Sequence, residues 1–461
     1  MRYDCDLAVI GAGPGGYVAA IYGAKNGLST ILIEKDETLG GTCLNRGCIP
    51  MKTLIHSATL WQELKGCGEF GIRTEGARFD LAAMQRKKEE VVRDLTGGVA
   101  QLMKANRIGV LRGTAKVEAA HTISLGGKGG ERLLTARNIL IATGSRSIRV
   151  PVPGAELPEV MDSDGALALT RLPKSLVVIG GGVIGTEIAY FYNALGVEVT
   201  IVEALPRLVD RSDEMVCQGL EKAFREGGIV IHTNSRVTSI RQVAGGVKVC
   251  FESPEGAMEA VGEKVLMAVG RSPALNVAEG LLKLKRGFME VNDRMETGVE
   301  GLYAIGDITG KSMLAHAASH QGMTAVDNIL GINSVMRYDC VPNCIYTNPE
   351  AAGVGLTEQE ARLRHGGVTC GIFPFSAIGK ARTMGRSDGF VKLVAEERSG
   401  RIVGAHILGP GATELIAELT LAVRIGVTAE ELAHTVHAHP TLSEASMEAA
   451  LSILGMKIHL P

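Results

Sequence analysis

Apolar positions in this chain fall into short runs that end in glycine turns and are followed by stretches of helical period. Residues 7–10 form one such run and predict a buried strand. A small-residue helix over 17–24 and a second strand over 29–33, ending at Glu34, follow. Residues 54–105 carry a helical pattern whose charge run at 85–94 predicts a solvated face. Strands are expected at 113–115 and 139–144, both ending on ligand-facing turns. At Leu176 the opening pattern returns, with a strand over 176–179, a helix through Ala194 and a strand over 197–202 ending at Glu203. Residues 301–307 read as a further buried strand closing on Asp307. Beyond Cys340 the texture changes. Alternating runs at 390–395 and 402–408 predict an antiparallel sheet, and 413–425 and 429–436 predict helices, so the last segment is expected to be a separate α+β domain.

The chain has 461 residues, enough for about three domains of ordinary size. Its 48 Lys and Arg against 50 Asp and Glu leave a net charge of −2, so no general field draws in nucleic acid or an anionic membrane. The 59 glycines form no collagen-like period and point to many tight turns and close backbone–ligand approaches. Nine cysteines, odd in number and scattered, fit a reducing compartment better than a secreted disulfide framework. With no leader-like pattern and no apolar run of membrane-spanning length, the expectation is a soluble cytoplasmic protein.

Gly11, Gly13 and Gly16 stand directly after the first strand and open the first helix. Between two strands, and followed by Glu34, this spacing predicts a dinucleotide-binding unit. Its glycines let a pyrophosphate sit on the helix N-terminus, and the carboxylate accepts hydrogen bonds from a ribose diol. Gly180, Gly182, Gly185 and Glu203 each stand 169 residues after their counterparts, and the strand end Ile-Ala-Thr-Gly144 is echoed by Met-Ala-Val-Gly270. This internal repeat predicts two nucleotide domains. Glu203 disfavours a 2'-phosphate, and neither Ala204 nor Leu205 can bind one, so the second site is expected to take NAD in preference to NADP. Arg207 is the one nearby cation that could reverse this; a salt-bridge role is its plainer reading.

Six residues after Glu34 begins Gly40-Gly-Thr-Cys-Leu-Asn-Arg-Gly-Cys-Ile-Pro-Met-Lys52. Cys43 and Cys48 are expected on one face of a helix start, close enough for disulfide exchange, with the positive helix end favouring thiolate and Pro50 interrupting the helix beside them. A reduced structural pair or half of a zinc site are the other readings. Arg46 could stabilise a thiolate or meet an anionic substrate, and a solvent-facing loop arginine is equally compatible. Cys340-x3-Cys344 reads as structural. Near the C-terminus, His434, His437, His439 and Glu444 could form a metal site or surface histidines. The third possibility is a general base, His439, held in one tautomer by Glu444. Two nucleotide sites and a dithiol together suggest electron transfer between a thiol substrate and a nicotinamide. Disulfides exchange electron pairs and nicotinamides take hydride, so a flavin must stand between them, which makes FAD the first ligand.

With Gly-Gly-Thr-Cys-Leu-Asn-x-Gly-Cys-Ile-Pro, Tyr17 in the first fingerprint and His-Ala-His-Pro-Thr-Leu-Ser-Glu, the whole chain resembles the pyridine nucleotide-disulfide oxidoreductases, in particular their lipoamide branch. The resemblance implies an α/β fold with two Rossmann-like dinucleotide-binding domains, glutathione reductase-like, plus a C-terminal α+β dimerisation domain. The order implied is an FAD-binding part at 1–146, an NAD-binding domain at 147–271, a return to the FAD-binding and central domain at 272–342, and an interface domain at 343–461. It implies oxidation of dihydrolipoamide to lipoamide through FAD, with NAD+ as acceptor and no metal. Cys43 would be the interchange thiol, Cys48 the thiol against the flavin, Lys52 its neighbour and Glu187 a residue near the nicotinamide. His439 and Glu444 would reach the cysteines of the other subunit of a homodimer. FAD contacts would come from Gly11, Gly13, Gly16, Glu34, Lys35, Gly41, Thr42, Lys52, Ala115, Thr143, Gly144, Asp307 and Ala315. NAD contacts would come from Gly180, Gly182, Gly185, Glu203 and Gly270. Partners implied are a lipoyl-bearing protein or free dihydrolipoamide, within a 2-oxo acid dehydrogenase or glycine cleavage complex. A related NAD(P)H-dependent disulfide or metal-ion reductase, or a non-catalytic flavin-binding protein, are the alternatives.

Overall fold

The apolar run at 7–10 becomes the strand Cys5–Ile10, which pairs in parallel with Thr30–Glu34 on one side and Gly130–Ile141 on the other. Leu7, Ala8 and Val9 are fully buried, as the interior strand of a parallel sheet requires. Gly109–Arg112 extends one edge and Leu302–Ala304 joins Gly130–Ile141, while the far part of that long strand carries an antiparallel sheet with Thr122–Gly127 and Thr114–Ala119. The structure, a computed structural model, describes residues 3–127 and 130–460. Helix Pro14–Lys25 lies against helix Ala315–Ile329 at a distance only small residues permit. A Cβ at Gly15 would meet Ala318 O at 2.9 Å, and one at Gly322 would meet Gly15 O at 2.8 Å.

The chain divides into two units. The first comprises Met1–Leu54, Asp80–Ile148 and Gly270–Tyr338, and the second Ile55–Phe79, Arg149–Val269 and Asp339–Pro461. In the second, five parallel strands run in the order Val230–His232, Glu198–Val202, Ser175–Ile179, Lys264–Met267, Val160–Met161. A three-stranded antiparallel sheet, Arg236–Val243, Gly246–Ser253 and Gly256–Gly262, is inserted before the fourth of these. The sequence signal for it was present in Val247, Val249 and Phe251, which alternate with polar neighbours and are all buried. The C-terminal segment folds as a five-stranded antiparallel sheet with helices Ala412–Ile425 and Glu444–Ile453 packed on it around Phe373, Leu393 and Ile407.

The segment expected to be a domain of its own, 343–461, thus groups with 149–269. Helix Glu214–Glu226 explains why: Gly219 lies so close to Leu408 that a Cβ would come within 2.3 Å of its Cδ2. Residues 55–79 join the same unit. Thr59 Oγ1 is hydrogen-bonded to Tyr190 Oη at 3.1 Å, and Arg386 pairs with Glu63 at 3.4 Å. The helical stretch predicted over 54–105 is interrupted. Helix Cys48–Gly66 passes into a 3-10 turn, Cys67–Phe70, and helix Leu81–Ala105 begins only at the Asp80 cap, which accepts from Ala83 N. Gly71 and Gly76, at φ +77° and +66°, take up the turn between them. The helix expected over 429–436 stops at Ala433. Among the described residues no helix is long and apolar enough to cross a membrane.

Candidate active site

The first glycine turn is built by steric exclusion. Gly11 has φ +102°, and a Cβ there would meet Ala142 O at 2.4 Å; one at Gly16 would meet Gly11 O at 1.8 Å. At Gly13, the residue that opens helix Pro14–Lys25 without any side-chain cap, a Cβ meets nothing within 4 Å. The turn is therefore closed toward the protein and open in front of the helix N-terminus, where backbone N–H groups lack partners in the helix. Glu34 is buried, and its two oxygens accept from Ala12 N at 2.8 Å and Asp36 N at 2.9 Å. These bonds fix the carboxylate at the strand end and leave lone pairs for further donors.

The cysteine segment is fastened to this turn through the backbone. Gly40 N donates to Ala12 O at 2.8 Å, and Gly41 lies so near that a Cβ would come within 2.6 Å of Gly13 Cα. Cys43 sits in the short helix Gly41–Arg46, with Thr42 just before it, and Cys48 is the first residue of helix Cys48–Gly66. Gly47 breaks the backbone between them, so the pair meets across two helices and not along one. Pro50 is the third residue of the second helix and does not interrupt it, because a first-turn N–H has no acceptor to lose. The two thiols are hydrogen-bonded to each other. That bond, burial and the charge of Cys48 push the Cys43 thiol well above its usual range, with Lys52 opposing. Tyr17 stands close by, its phenol pushed up by burial and by Cys43. Arg46 pairs with Asp36 at 2.7 Å, which opposes its charge locally.

Of the remaining first-site residues, Asp307 lies in the 3-10 turn Gly306–Thr309, accepting from the Ser145 hydroxyl with Arg271 Nε 3.9 Å away. Arg271 also donates to Ser145 Oγ at 2.7 Å and to its carbonyl at 2.9 Å. Neither Ser145 nor Arg271 was picked out from the sequence, yet each directly follows one of the repeated strand-end glycines, Gly144 and Gly270, which was the available signal. Gly144 has φ +70° with nothing near its Cβ direction, while the Thr143 hydroxyl is engaged with Ala274 O at 3.1 Å. Ala315 opens its helix and is half-buried; Lys35 is exposed; Ala115 has its methyl in the core, leaving only its backbone for a ligand. Gly270 belongs to the first unit, accepting from Ile148 N at 3.0 Å.

In the second unit the same turn is cast again. Gly180 has φ +106° with Ala268 O 2.5 Å from a Cβ; a Cβ on Gly185 would meet Gly180 O at 2.0 Å; Gly182 faces open space. Glu203 accepts from Gly181 N and from Leu205 N. Glu187 is buried on helix Val183–Ala194 and accepts from Tyr346 N at 3.1 Å. Arg207 is held by Asp210 at 3.1 Å and Glu214 at 3.3 Å, so the salt-bridge reading of this cation holds.

The three histidines near the C-terminus diverge. His434 Nδ1 meets Glu430 O, His437 Nε2 meets Glu418 at 2.9 Å, and His439 Nδ1 meets Glu444 Oε1 at 2.9 Å. Among the described residues no three His, Cys, Asp or Glu side chains converge as a metal set. Glu444 opens helix Glu444–Ile453. Burial pushes its carboxyl up, but the Thr441 N–H and the His439 imidazole outweigh burial and hold it below the usual range. An ionised carboxylate only accepts, so His439 Nδ1 carries the proton and Nε2 is left as a base. The ring is 77% exposed, reachable from outside this chain.

A dithiol wired to one glycine turn, a second such turn and an oriented imidazole define a class, and the comparisons agree. The pyridine nucleotide-disulphide oxidoreductase family matches residues 5–322, and the dimerisation domain of that family matches 341–450. The chain belongs to this family. A dihydrolipoyl dehydrogenase of Chlamydia pneumoniae is 41% identical over 468 residues, covering 100% of this chain and 99% of its own. Another, from Thermus scotoductus, is 42% identical over 463 residues, covering 99% and 98%. The crystal structure of LpdA from Mycobacterium tuberculosis superposes with a TM-score of 0.89 at 28% identity, over 96% of this chain and 99% of that one.

Proposed function

We propose that this chain oxidises dihydrolipoyl groups to lipoyl disulfides with FAD as resident cofactor and NAD+ as acceptor, working as a cytoplasmic homodimer. The observation that carries the reading is the hydrogen-bonded Cys43–Cys48 pair, fastened by Gly40 and Gly41 to the glycine turn at 11–16. The residues suit the cofactor. Gly13 and Gly144 leave open space where a pyrophosphate and its neighbours need it, and Glu34 and Asp307 present fixed carboxylates for hydroxyl groups. Gly182 and Glu203 offer the same to the nicotinamide dinucleotide. FAD supplies, when bound, the exchange between a thiolate electron pair and a hydride that no side chain can perform.

The side chains handle protons and sulfur. His439 Nε2 takes the proton of one substrate thiol while Glu444 holds Nδ1 and stabilises the imidazolium. The thiolate attacks Cys43 Sγ in the oxidised pair, breaking the Cys43–Cys48 bond and releasing the Cys48 thiolate, which Lys52 one helical turn further on stabilises. The second substrate thiol passes its proton to the Cys43 sulfur that it displaces and closes the cyclic disulfide, so the pair ends reduced, with Cys43 as thiol and Cys48 as thiolate beside the protonated His439. His439 and Glu444 act on the cysteines of the partner subunit, in keeping with the exposure of the ring and with the matched dimerisation domain. The lipoyl group is expected on a carrier protein of a 2-oxo acid dehydrogenase or glycine cleavage system.

His439→Gln tests this reading. Full flavin content with flavin reduction by dihydrolipoamide slowed by roughly 10²- to 10⁴-fold is expected in anaerobic stopped flow. A wild-type rate would defeat it.

A further inference from the structure

Lys392 occupies the middle of strand Phe390–Glu396 and is 2% exposed, a setting from which lysine is almost always absent unless it is paired. Its Nζ lies 3.0 Å from both oxygens of Asp213 and 2.8 Å from Glu358 Oε2. Asp213 is itself 1% exposed and caps helix Glu214–Glu226, accepting from Met215 N at 3.1 Å. On the other side of Asp213 runs the loop 204–212, which returns to the second glycine turn. Val209 N donates to Gly181 O at 2.9 Å, Leu208 fills the space where a Gly181 Cβ would stand, and Leu205 N donates to Glu203 Oε1 at 2.7 Å. The loop is pinned at one end on Glu203 and Gly181, along its length by Leu208 N donating to Glu221 Oε1 at 2.8 Å and by Arg207 pairing with Glu214 at 3.3 Å, and at its far end on Asp213, which Lys392 and Glu358 N hold. Asp213 and Lys392 are 179 residues apart in the chain, so a side chain of the C-terminal sheet closes a loop of the nucleotide segment.

We propose that Lys392 is a positioning residue for the dinucleotide: by holding Asp213 it fixes the loop 204–212 and, through it, the Glu203 carboxylate that meets the adenosine ribose. This rests on the reading of Glu203 as the ribose acceptor. A lysine that merely plugs the fold would leave ribose recognition alone; one that sets the loop weakens the adenosine half of the ligand and spares the nicotinamide half.

The test uses the full-length, FAD-loaded Lys392→Met variant. Titration calorimetry with ADP-ribose measures the adenosine half directly, and KM is compared for NADH and for reduced nicotinamide mononucleotide, which lacks that half. A rise of roughly five- to tenfold in the ADP-ribose Kd and the NADH KM is expected, with kcat and the mononucleotide KM unchanged. An ADP-ribose Kd within about twofold of wild type, or equal losses with both nicotinamides, overturns the inference. Should Lys392→Met fail to fold, Asp213→Asn, which keeps a capping oxygen but removes the charge, carries the same expectation. Glu358→Gln leaves the Lys392–Asp213 contact in place and should retain ADP-ribose affinity; an equal loss there also overturns it. Glu203→Ala is measured alongside. If it leaves ADP-ribose affinity intact, the ribose reading itself fails; if it weakens binding and Lys392→Met does not, only this inference fails.

Discussion

At residues 11–34 and at 180–203 the chain solves one problem twice, and the two solutions agree in the backbone while parting in the side chains. Gly11 and Gly180 have φ of +102° and +106°; Gly16 and Gly185 clash with the first glycine's carbonyl if given a Cβ; Glu34 and Glu203 each take two backbone N–H groups, at positions 169 residues apart. What stands next to each cradle differs. In the first, Gly15 yields to Ala318 and Gly41 presses on Gly13, bringing the thiol pair to the turn. In the second, Ile184 replaces Gly15, Gly181 accommodates Leu208, and position 187 is a buried glutamate where the first turn has Val18. Under the proposed function, the repeat specifies where a dinucleotide lies. The departures from it specify which chemistry the dinucleotide meets.

The strongest way to break this comparison is a methyl group at the closed side of each turn. Gly16→Ala should yield protein without flavin absorbance, since a Cβ 1.8 Å from an oxygen forces the turn apart. Gly185→Ala should stay yellow and lose NADH-driven flavin bleaching. Equal behaviour of the two, read from the visible spectrum, would sink the assignment of one turn to each nucleotide. Next come the carboxylates. Glu203→Ala should weaken NADH by about one to three kcal/mol without loss of flavin, and Glu34→Ala should release FAD while ADP-ribose binding to the second turn, read by titration calorimetry, stays unchanged. Gly13→Ala and Gly182→Ala sharpen the point further. Neither new methyl meets protein, so the melting temperature should stay within a few degrees while affinity for the matching nucleotide falls; equal melting and equal affinity would mean the open space is not the ligand's.

The smallest effect is one of pH. Glu358, hydrogen-bonded by Lys392 and Arg362, has its carboxyl held down to about 2 against an ordinary 4.5. A lowered carboxyl contributes stability fully above its unfolded value and loses it as pH falls toward the folded one. The stability difference between wild type and Glu358→Gln should therefore be constant above about pH 4.5 and shrink steadily toward pH 2. A difference that grows on acidification, in thermal melts, would contradict the sign.

Much of this was legible in the chain because it depends on local chemistry. Glycine spacing, strand-end carboxylates and Cys43 with Cys48 are constraints a few residues long, and Glu34 and Glu203 lie where the strands predicted. The thiol pairing across Gly47 was not legible in detail, since helix period cannot reveal a backbone break at one glycine. Nor were the partners of Asp307. Ser145 and Arg271 reach it from segments 126 residues apart, and only the fold brings them together. Lys392 looked like one polar position in an alternating strand, yet it is buried because two distant carboxylates come to meet it.

The doubled cradle also bears on inhibitor design. FAD and NAD share an ADP half, so under the proposed function a compound that imitates that half is expected to enter both moulds and compete with both ligands. Selectivity has to be sought where the castings differ: Gly41 and the cysteine segment press on Gly13 in the first, whereas Leu208 presses on Gly181 in the second.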